Sequence, residues 1–143
     1  MRRKKRKVLV AGTFDFLHPG HLNLFAQARR HGDGLVVVVA KDATVEKFKG
    51  KRPYFSETER LGLVGSMKSV DRAILGKSGD LYRVVAGERP DVIVLGYDQW
   101  PDEKKLRARL DGLGLKKTEI RRASEKNPAK FKSSKIRAHL ALE

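Results

Sequence analysis

The chain has 143 residues, which suffice for one domain with a packed core. Hydrophobic residues make up 40% and charged residues 34%, a balance typical of soluble globular proteins, and no apolar run approaches the ~20 residues that a bilayer-spanning helix needs. Cysteine is absent, which excludes disulfides and thiolate metal sites, and a formal net charge of +15 favours anionic partners such as nucleic acid, anionic lipid or phosphorylated small molecules.

A basic leader opens the sequence. Residues 2–7 are all Lys or Arg, which is too dense in charge for a signal peptide. The cluster fits a nuclear localisation or nucleic-acid patch, and it also fits a solvated segment ahead of the first strand. We interpret it as the leader of a single domain that spans residues 1–143, and we expect the protein to be cytoplasmic.

The first third of the chain alternates strand and helix signals. Residues 8–11 form a short apolar run that ends at Gly12, which predicts a buried strand. Pro19 suits the first turn of a helix, where its missing N–H would have no partner, and apolar residues then follow at helical spacing until Gly32. The valine-rich residues 35–40 predict a strand that is buried on both faces of a parallel sheet.

The middle of the chain begins with a polar stretch. Residues 41–53 contain Gly and Pro and predict a loop. Ser56 and Glu59 have the spacing of a capping box and predict a helix start, although two glycines inside that helix cost ~1 kcal/mol each. Residues 70–75 predict a third strand.

The last part of the chain continues the alternation. Its predicted elements are, in order, a short helix at 81–85, a buried strand at 92–95, a helix capped by Asp102, an edge strand at 117–121 and a final helix capped by Ser133 or Ser134. The whole pattern predicts an α/β fold with a Rossmann-like, doubly wound and mostly parallel sheet that carries helices on both faces. Ligands of such folds bind outside the carboxyl ends of the strands, so residues 12–21 and 96–101 matter most for function.

The segment His18-Pro19-Gly20-His21 lies where the first strand gives way to the first helix. A helix N-terminus offers unpaired N–H groups and a partial positive charge. His18 and His21 share one helix face, and Gly20 leaves room for a phosphate to approach the backbone. Two imidazoles there are suited to hydrogen-bond phosphate oxygens and to stabilise charge that develops at an α-phosphorus. The alternative is a capped helix with two incidental histidines.

Residues 12–21, Gly-Thr-Phe-Asp-Phe-Leu-His-Pro-Gly-His, resemble the HxGH signature of the nucleotidylyltransferase superfamily in its cytidylyltransferase-like branch. Residues 47–53 resemble the basic loop that folds over the triphosphate, and residues 59–61 resemble the helix that supplies an arginine near the substrates. Residues 132–137 are similar to the second, serine-rich signature, and residues 95–99 occupy the place of the loop that reads the nucleobase. The resemblance covers nearly the whole chain.

The resemblance implies direct nucleotidyl transfer without a covalent enzyme intermediate, driven by positioning and electrostatics. It implies Mg²⁺ as a cofactor that is held mainly by the nucleotide phosphates, with Asp15 positioning either the metal or the site itself. The implied catalytic residues are His18, His21 and Lys47. The implied nucleotide-binding residues are Gly12, Thr13, Phe14, His18, Pro19, Gly20, His21, Gly96, Asp98, Ser133 and Ser134. The implied acceptor-binding or supporting residues are Asp15, Lys49, Arg60, Tyr97, Gln99 and Lys135.

Within the superfamily, the chain is most similar to the archaeal FMN adenylyltransferases, whose substrates are ATP and FMN. The cues are residues 11–21, 39–45 and 96–99. A second hypothesis is CTP-dependent transfer to glycerol 3-phosphate or a similar polyol phosphate. A third is a non-catalytic nucleotide- or nucleic-acid-binding protein, for which the net charge is the main cue. The resemblance implies a homodimer that has neither membrane nor nucleic acid as a partner.

Overall fold

The computed structural model describes residues 4–77, 81–96, 102–124 and 133–141. Five strands and six helices lie within these ranges. The strands are β1 (Lys7–Gly12), β2 (Gly34–Val39), β3 (Arg72–Leu75), β4 (Val92–Leu95) and β5 (Glu119–Arg122). The helices are α1 (Pro19–Arg29), α2 (Asp42–Lys49), α3 (Glu57–Gly65), α4 (Leu81–Glu88), α5 (Glu103–Gly112) and α6 (Ser133–Ala141).

The described strands form one sheet in the order β3-β2-β1-β4-β5, and all of its pairs are parallel. Val10 of β1 pairs with Val37 of β2, and Leu9 of β1 pairs with Ile93 of β4. The chain therefore grows outward from β1 to β3 and then returns to the other side of β1 at β4. The carboxyl ends of β1 and β4 lie at this topological switch point, where doubly wound sheets bind their ligands.

Apolar layers cover both faces of the sheet. Neighbouring strand residues such as Leu9 and Val10 point to opposite faces because side chains alternate along a strand. Helices α1 and α3 cover one face, and α4 and α5 cover the other. Their buried apolar residues are Phe25, Ala28 and Val64 on the first face and Val84, Val85, Leu106 and Leu110 on the second. The predicted Rossmann-like, doubly wound fold is confirmed.

The prediction of a loop over residues 41–53 is wrong, because α2 occupies most of this stretch. The helix carries few of the usual signals. Its N-cap, Lys41, makes no side-chain capping bond, and Val45 is its one buried residue. Gly50, which the prediction took as a loop marker, ends the helix in the left-handed conformation with φ of 80°. Glycine is the usual residue at that position because it lacks the Cβ that strains a positive φ.

The predicted caps of α3 and α5 are confirmed. Ser56 Oγ accepts a hydrogen bond from the Glu59 N–H at 3.2 Å, and Glu59 Oε1 accepts one from the Ser56 N–H at 3.0 Å. Asp102 Oδ1 accepts a hydrogen bond from the Lys104 N–H at 2.7 Å. Among the described residues, no helix is both long and apolar enough to cross a membrane.

Candidate active site

The start of α1 is built from its own two histidines. His18 is the N-cap residue in an extended conformation, and its Nδ1 accepts a hydrogen bond from the Gly20 N–H at 3.1 Å. His21 Nδ1 accepts a hydrogen bond from the His18 N–H at 3.2 Å. Pro19 takes the first helical position. The arrangement is a capping box in which imidazoles replace the usual hydroxyl and carboxylate.

These contacts set the protonation of both rings. Burial lowers the pKa of His21 to about 4, with the neighbouring His18 adding to the shift, and burial also lowers the pKa of His18. Both rings are therefore neutral near pH 7, and because each Nδ1 accepts a hydrogen bond, each ring carries its proton on Nε2. The ring centroids are 3.9 Å apart at an interplanar angle of 34°. The pair thus offers two adjacent Nε2–H donors without positive charge.

Phe14 shapes the loop that precedes these histidines. Its backbone has a φ of 53°, which is uncommon for a residue other than glycine and tends to occur where a site imposes the conformation. Its buried ring lies 5.4 Å from the rings of both His21 and Phe25. A Cβ on Gly12 would come within 2.8 Å of the Phe14 ring, so a larger residue there would displace that ring. Gly12 and Phe14 therefore position the loop. The side chain of Phe14 packs against His21 and Phe25.

Lys49 lies against the loop, whereas Lys47 does not contact it. Lys49 Nζ donates a hydrogen bond to Thr13 Oγ1 at 3.2 Å. Burial lowers the pKa of Lys49, and the nearby positive charge of Arg137 lowers it further. Both lysines lie at the surface, and the Lys47 ammonium lies 5.8 Å from the centroid of the Phe48 ring. Of the two lysines, Lys49 is therefore the one that hydrogen-bonds to the loop after β1.

Arg60 is fully buried and supports the loop from behind. Its guanidinium donates hydrogen bonds to three carbonyl oxygens and one carboxylate at 2.7–3.0 Å. The acceptors are Phe55 O, Thr13 O, Ala40 O and Asp42 Oδ1. The guanidinium keeps the pKa of Asp42 below its usual value. Arg60 thus ties the ends of β1 and β2 to α2 and α3, which is a supporting position.

Asp15 is also largely buried, at 7% exposure, and it gathers three donors. Its carboxylate accepts hydrogen bonds from the N–H groups of Tyr54 at 2.8 Å and Phe55 at 2.9 Å, and from Arg137 Nη2 at 2.8 Å. The Arg137 guanidinium also lies 4.9 Å from the centroid of the Phe16 ring. These contacts favour the second of the two roles predicted for Asp15, which is to position the site.

Arg137 was absent from the predicted site residues. Its contact with Asp15 spans 122 positions of the chain, which no spacing rule predicts. Its place in the second signature segment, residues 132–137, was the available signal. The contact brings α6 to the loop that follows β1, so residues of both signature segments lie side by side.

Several predicted site residues lie outside what the structure describes. Tyr97, Asp98 and Gln99 fall outside the described residues, as do the side chains of Ser133 and Ser134. Gly96 follows β4, and its carbonyl accepts a hydrogen bond from Arg122 Nη1 at 2.9 Å. Lys135 is exposed on α6. Within the described part of the chain, no group of three or more His, Asp or Glu residues is arranged to hold a metal ion.

The model of the family described as cytidylyltransferase-like matches residues 9–139. The chain therefore belongs to the cytidylyltransferase-like family.

Three curated relatives are named FAD synthase. The protein of Aciduliprofundum boonei is 49% identical over 115 residues, which cover 80% of this chain and 76% of the relative. The protein of Methanothrix thermoacetophila is 45% identical over 135 residues, which cover 94% of this chain and 92% of the relative. The protein of Archaeoglobus profundus is 41% identical over 128 residues, 90% of this chain and 81% of the relative.

Two solved structures share the fold. One is described as the lipopolysaccharide core biosynthesis protein from Thermoplasma volcanium; it has a TM-score of 0.82 and 43% identity, and the match covers 87% of this chain and 100% of that protein. The other is pantoate-beta-alanine ligase from Francisella tularensis with a bound ATP derivative and beta-alanine. Its TM-score is 0.66 at 11% identity, over 96% of this chain and 67% of that protein, which is a likeness of fold alone.

Proposed function

We propose that the protein is an FAD synthase that transfers AMP from ATP to FMN and releases pyrophosphate. The paired neutral imidazoles at the start of α1 carry the proposal of nucleotidyl transfer. The choice of ATP and FMN is supported by the curated relatives, which are named FAD synthase at 41–49% identity over most of the chain.

The proposed reaction is one displacement at phosphorus. A phosphate oxygen of FMN forms a bond to the α-phosphorus of ATP, the bond between that phosphorus and the bridging oxygen of the β-phosphate breaks, and pyrophosphate leaves with the bonding electrons. The attacking oxygen is already ionised, so no general base is needed. This fits histidines whose pKa values lie below neutrality, because neutral rings donate hydrogen bonds from Nε2 to the phosphate oxygens without taking a proton.

Cations complete the proposed phosphate site. Lys49 and Arg137 lie against the loop and supply positive charge for the triphosphate and for the charge that leaves with pyrophosphate. The N-terminus of α1 adds its N–H groups and partial charge. The expected contributions of Lys47, Asp98, Ser133 and Ser134 stay predictions.

Mg²⁺ is proposed as the cofactor, held mainly by the nucleotide phosphates. When bound, it would screen the charge of these phosphates. Asp15, whose carboxylate already accepts three hydrogen bonds, is not proposed as a metal ligand. A cytoplasmic location, a single domain over residues 1–143 and a homodimer also stay predictions; light scattering after size-exclusion chromatography tests the dimer.

The choice of substrates is tested by product analysis. The purified chain is incubated with Mg²⁺ and either ATP plus FMN or CTP plus glycerol 3-phosphate, and pyrophosphate and the nucleotide product are quantified. We expect FAD and pyrophosphate in equal amounts from the first pair and no product from the second. Product from the second pair alone would mean that the acceptor is a polyol phosphate and not FMN. Tight RNA or DNA binding with no product from either pair would contradict an enzyme altogether.

A further inference from the structure

An exposed aromatic stack lies beside the phosphate-binding loop. It consists of Tyr54 and Phe16, whose ring centroids are 5.7 Å apart at an interplanar angle of 26°. Tyr54 is 78% exposed, although it lies in the short segment between α2 and α3 that faces the site. Phe55 packs edge-on against both rings, with centroids 5.5 Å from Phe16 and 5.0 Å from Tyr54. The stack therefore has one side fixed by neighbouring rings and another side open to solvent.

The position of Tyr54 is fixed by its backbone. Asp15 accepts hydrogen bonds from the N–H groups of both Tyr54 and Phe55, and Arg60 donates to the Phe55 carbonyl at 3.0 Å. Single exposed apolar side chains are ordinary on protein surfaces. The Tyr54 ring instead stacks on another ring, its backbone N–H is held by Asp15, and the next residue, Phe55, is held by both Asp15 and Arg60, so the ring is arranged before any ligand arrives. Such pre-arrangement lowers the entropy that a ligand must overcome on binding.

The stack adjoins the groups that would handle phosphates. Asp15 directly precedes Phe16 in sequence, and His18 follows two residues later. The Arg137 guanidinium lies over Phe16 and has N–H groups beyond the one that it gives to Asp15. An acceptor that carries both a flat ring and a phosphate would meet an aromatic surface and a cation that lie side by side in the fold.

We propose that Tyr54, supported by Phe16, stacks against the isoalloxazine ring of FMN, with the phosphate of the acceptor directed toward Arg137 and Lys49. This inference rests on the proposed transfer to FMN. Isoalloxazine is a planar heteroaromatic ring, and such rings stack well on tyrosine. Polyol phosphates have no ring and gain nothing from the stack. Tyr54 would therefore be a residue that selects the flavin acceptor.

The test separates the ring of the acceptor from its chain. Steady-state kinetics are measured for the wild type, Tyr54→Ala and Tyr54→Phe with ATP and FMN varied in turn. Lumiflavin, which is the ring alone, and ribitol 5-phosphate, which is the chain alone, serve as inhibitors against FMN. We expect Tyr54→Ala to raise KM for FMN and Ki for lumiflavin roughly tenfold each, because stacking on one aromatic side chain is worth about this much. KM for ATP and Ki for ribitol 5-phosphate should change by less than about twofold, and Tyr54→Phe should resemble the wild type.

Activity of the wild type tests the proposed function, and the comparison with Tyr54→Ala tests the stacking role. If the wild type makes FAD and Tyr54→Ala binds FMN and lumiflavin as the wild type does, the stacking role is wrong and the function stands. If Tyr54→Ala raises Ki for ribitol 5-phosphate as much as it raises Ki for lumiflavin, the substitution disturbs the loop as a whole. The stacking role is then likewise wrong. If the wild type makes no FAD, both proposals fall.

Discussion

At the scale of residues, His18 and His21 each use one ring nitrogen to build the helix start, and the proposed function assigns the other nitrogen to the phosphates. Nδ1 of each ring accepts a backbone N–H, and the low pKa values keep both rings neutral. A hydroxyl or a carboxylate would cap the helix as well, but neither would present a neutral N–H donor at the same place. The chemistry of the site and the stability of the helix start therefore depend on the same two side chains.

The low pKa of His21 predicts a pH dependence of stability. In the unfolded chain the ring titrates near 6.5, whereas in the folded chain it titrates at about 4. The stabilisation is complete above the unfolded pKa and is lost as the pH falls from 6.5 toward 4, because the unfolded state then binds the extra proton. His21 should make the free energy of unfolding about 2 kcal/mol lower at pH 5 than at pH 7.5.

The measurement is urea unfolding at these two pH values for the wild type and for His21→Asn, which keeps an acceptor for the His18 N–H. We expect the stability difference between the two pH values to be smaller in the variant by about 2 kcal/mol. Equal pH dependence in both proteins would mean that His21 is not held neutral.

Lys49 and Lys47 offer a matched pair for testing the cation of the site. Lys49→Gln removes a charge that lies against Thr13, so it should lower kcat/KM for ATP by roughly 10²-fold, as the loss of a transition-state contact does. Lys47→Gln removes an exposed charge of the same helix and should change kcat/KM by less than roughly fivefold. If Lys47→Gln proves the more damaging of the two, the proposal that Lys49 is the cation of the site is wrong.

At the scale of elements, Arg60 holds four segments together. It joins the carboxyl end of β1, the residue after β2, the first turn of α2 and the segment ahead of α3. A buried guanidinium is costly unless every donor finds an acceptor. Because one guanidinium bonds to acceptors in all four segments, it holds the loop after β1 against helix α2.

Replacement of Arg60 therefore predicts a large loss of stability. Arg60→Met should lower the free energy of unfolding by about 3 kcal/mol or more, because it leaves the Asp42 carboxylate and three carbonyls without their donor. Arg52→Gln is the control, since Arg52 pairs with Glu46 at an exposed position, where a salt bridge contributes little. Chemical denaturation of both variants measures the effect. A loss below about 1 kcal/mol in Arg60→Met would contradict the supporting role.

Most of the strands and helices, but not all of them, could be predicted from the sequence. Strands β1 to β4 and most helices followed from apolar runs, caps and punctuating glycines, because burial in a parallel sheet leaves strong signals in the sequence. Helix α2 did not, since one buried residue and an uncapped start leave almost no pattern. Its acidic first turn, Asp42, and basic last turn, Lys47 and Lys49, complement the helix dipole and were the remaining signals.

At the scale of the whole molecule, the site lies at the carboxyl ends of the central strands in a chain with a net charge of +15. Such a field draws anionic substrates toward the protein without choosing among them. The histidine signature and its place at the switch point were predictable from the sequence. The contacts of Asp15 with Tyr54 and Arg137 were not, because they join segments 39 and 122 positions apart.

The rate of FAD formation in histidine variants shows whether His18 and His21 act on the reacting phosphates. The turnover of ATP and FMN is measured for the wild type, His18→Ala, His21→Ala and the control His31→Asn, with circular dichroism to establish that each is folded. We predict that either alanine variant lowers kcat by ~10²-fold or more, since each removes a preorganised donor to the reacting phosphates. His31→Asn, whose side chain is remote from the loop after β1 in sequence, should turn over like the wild type. Normal turnover in folded His18→Ala and His21→Ala would contradict the account.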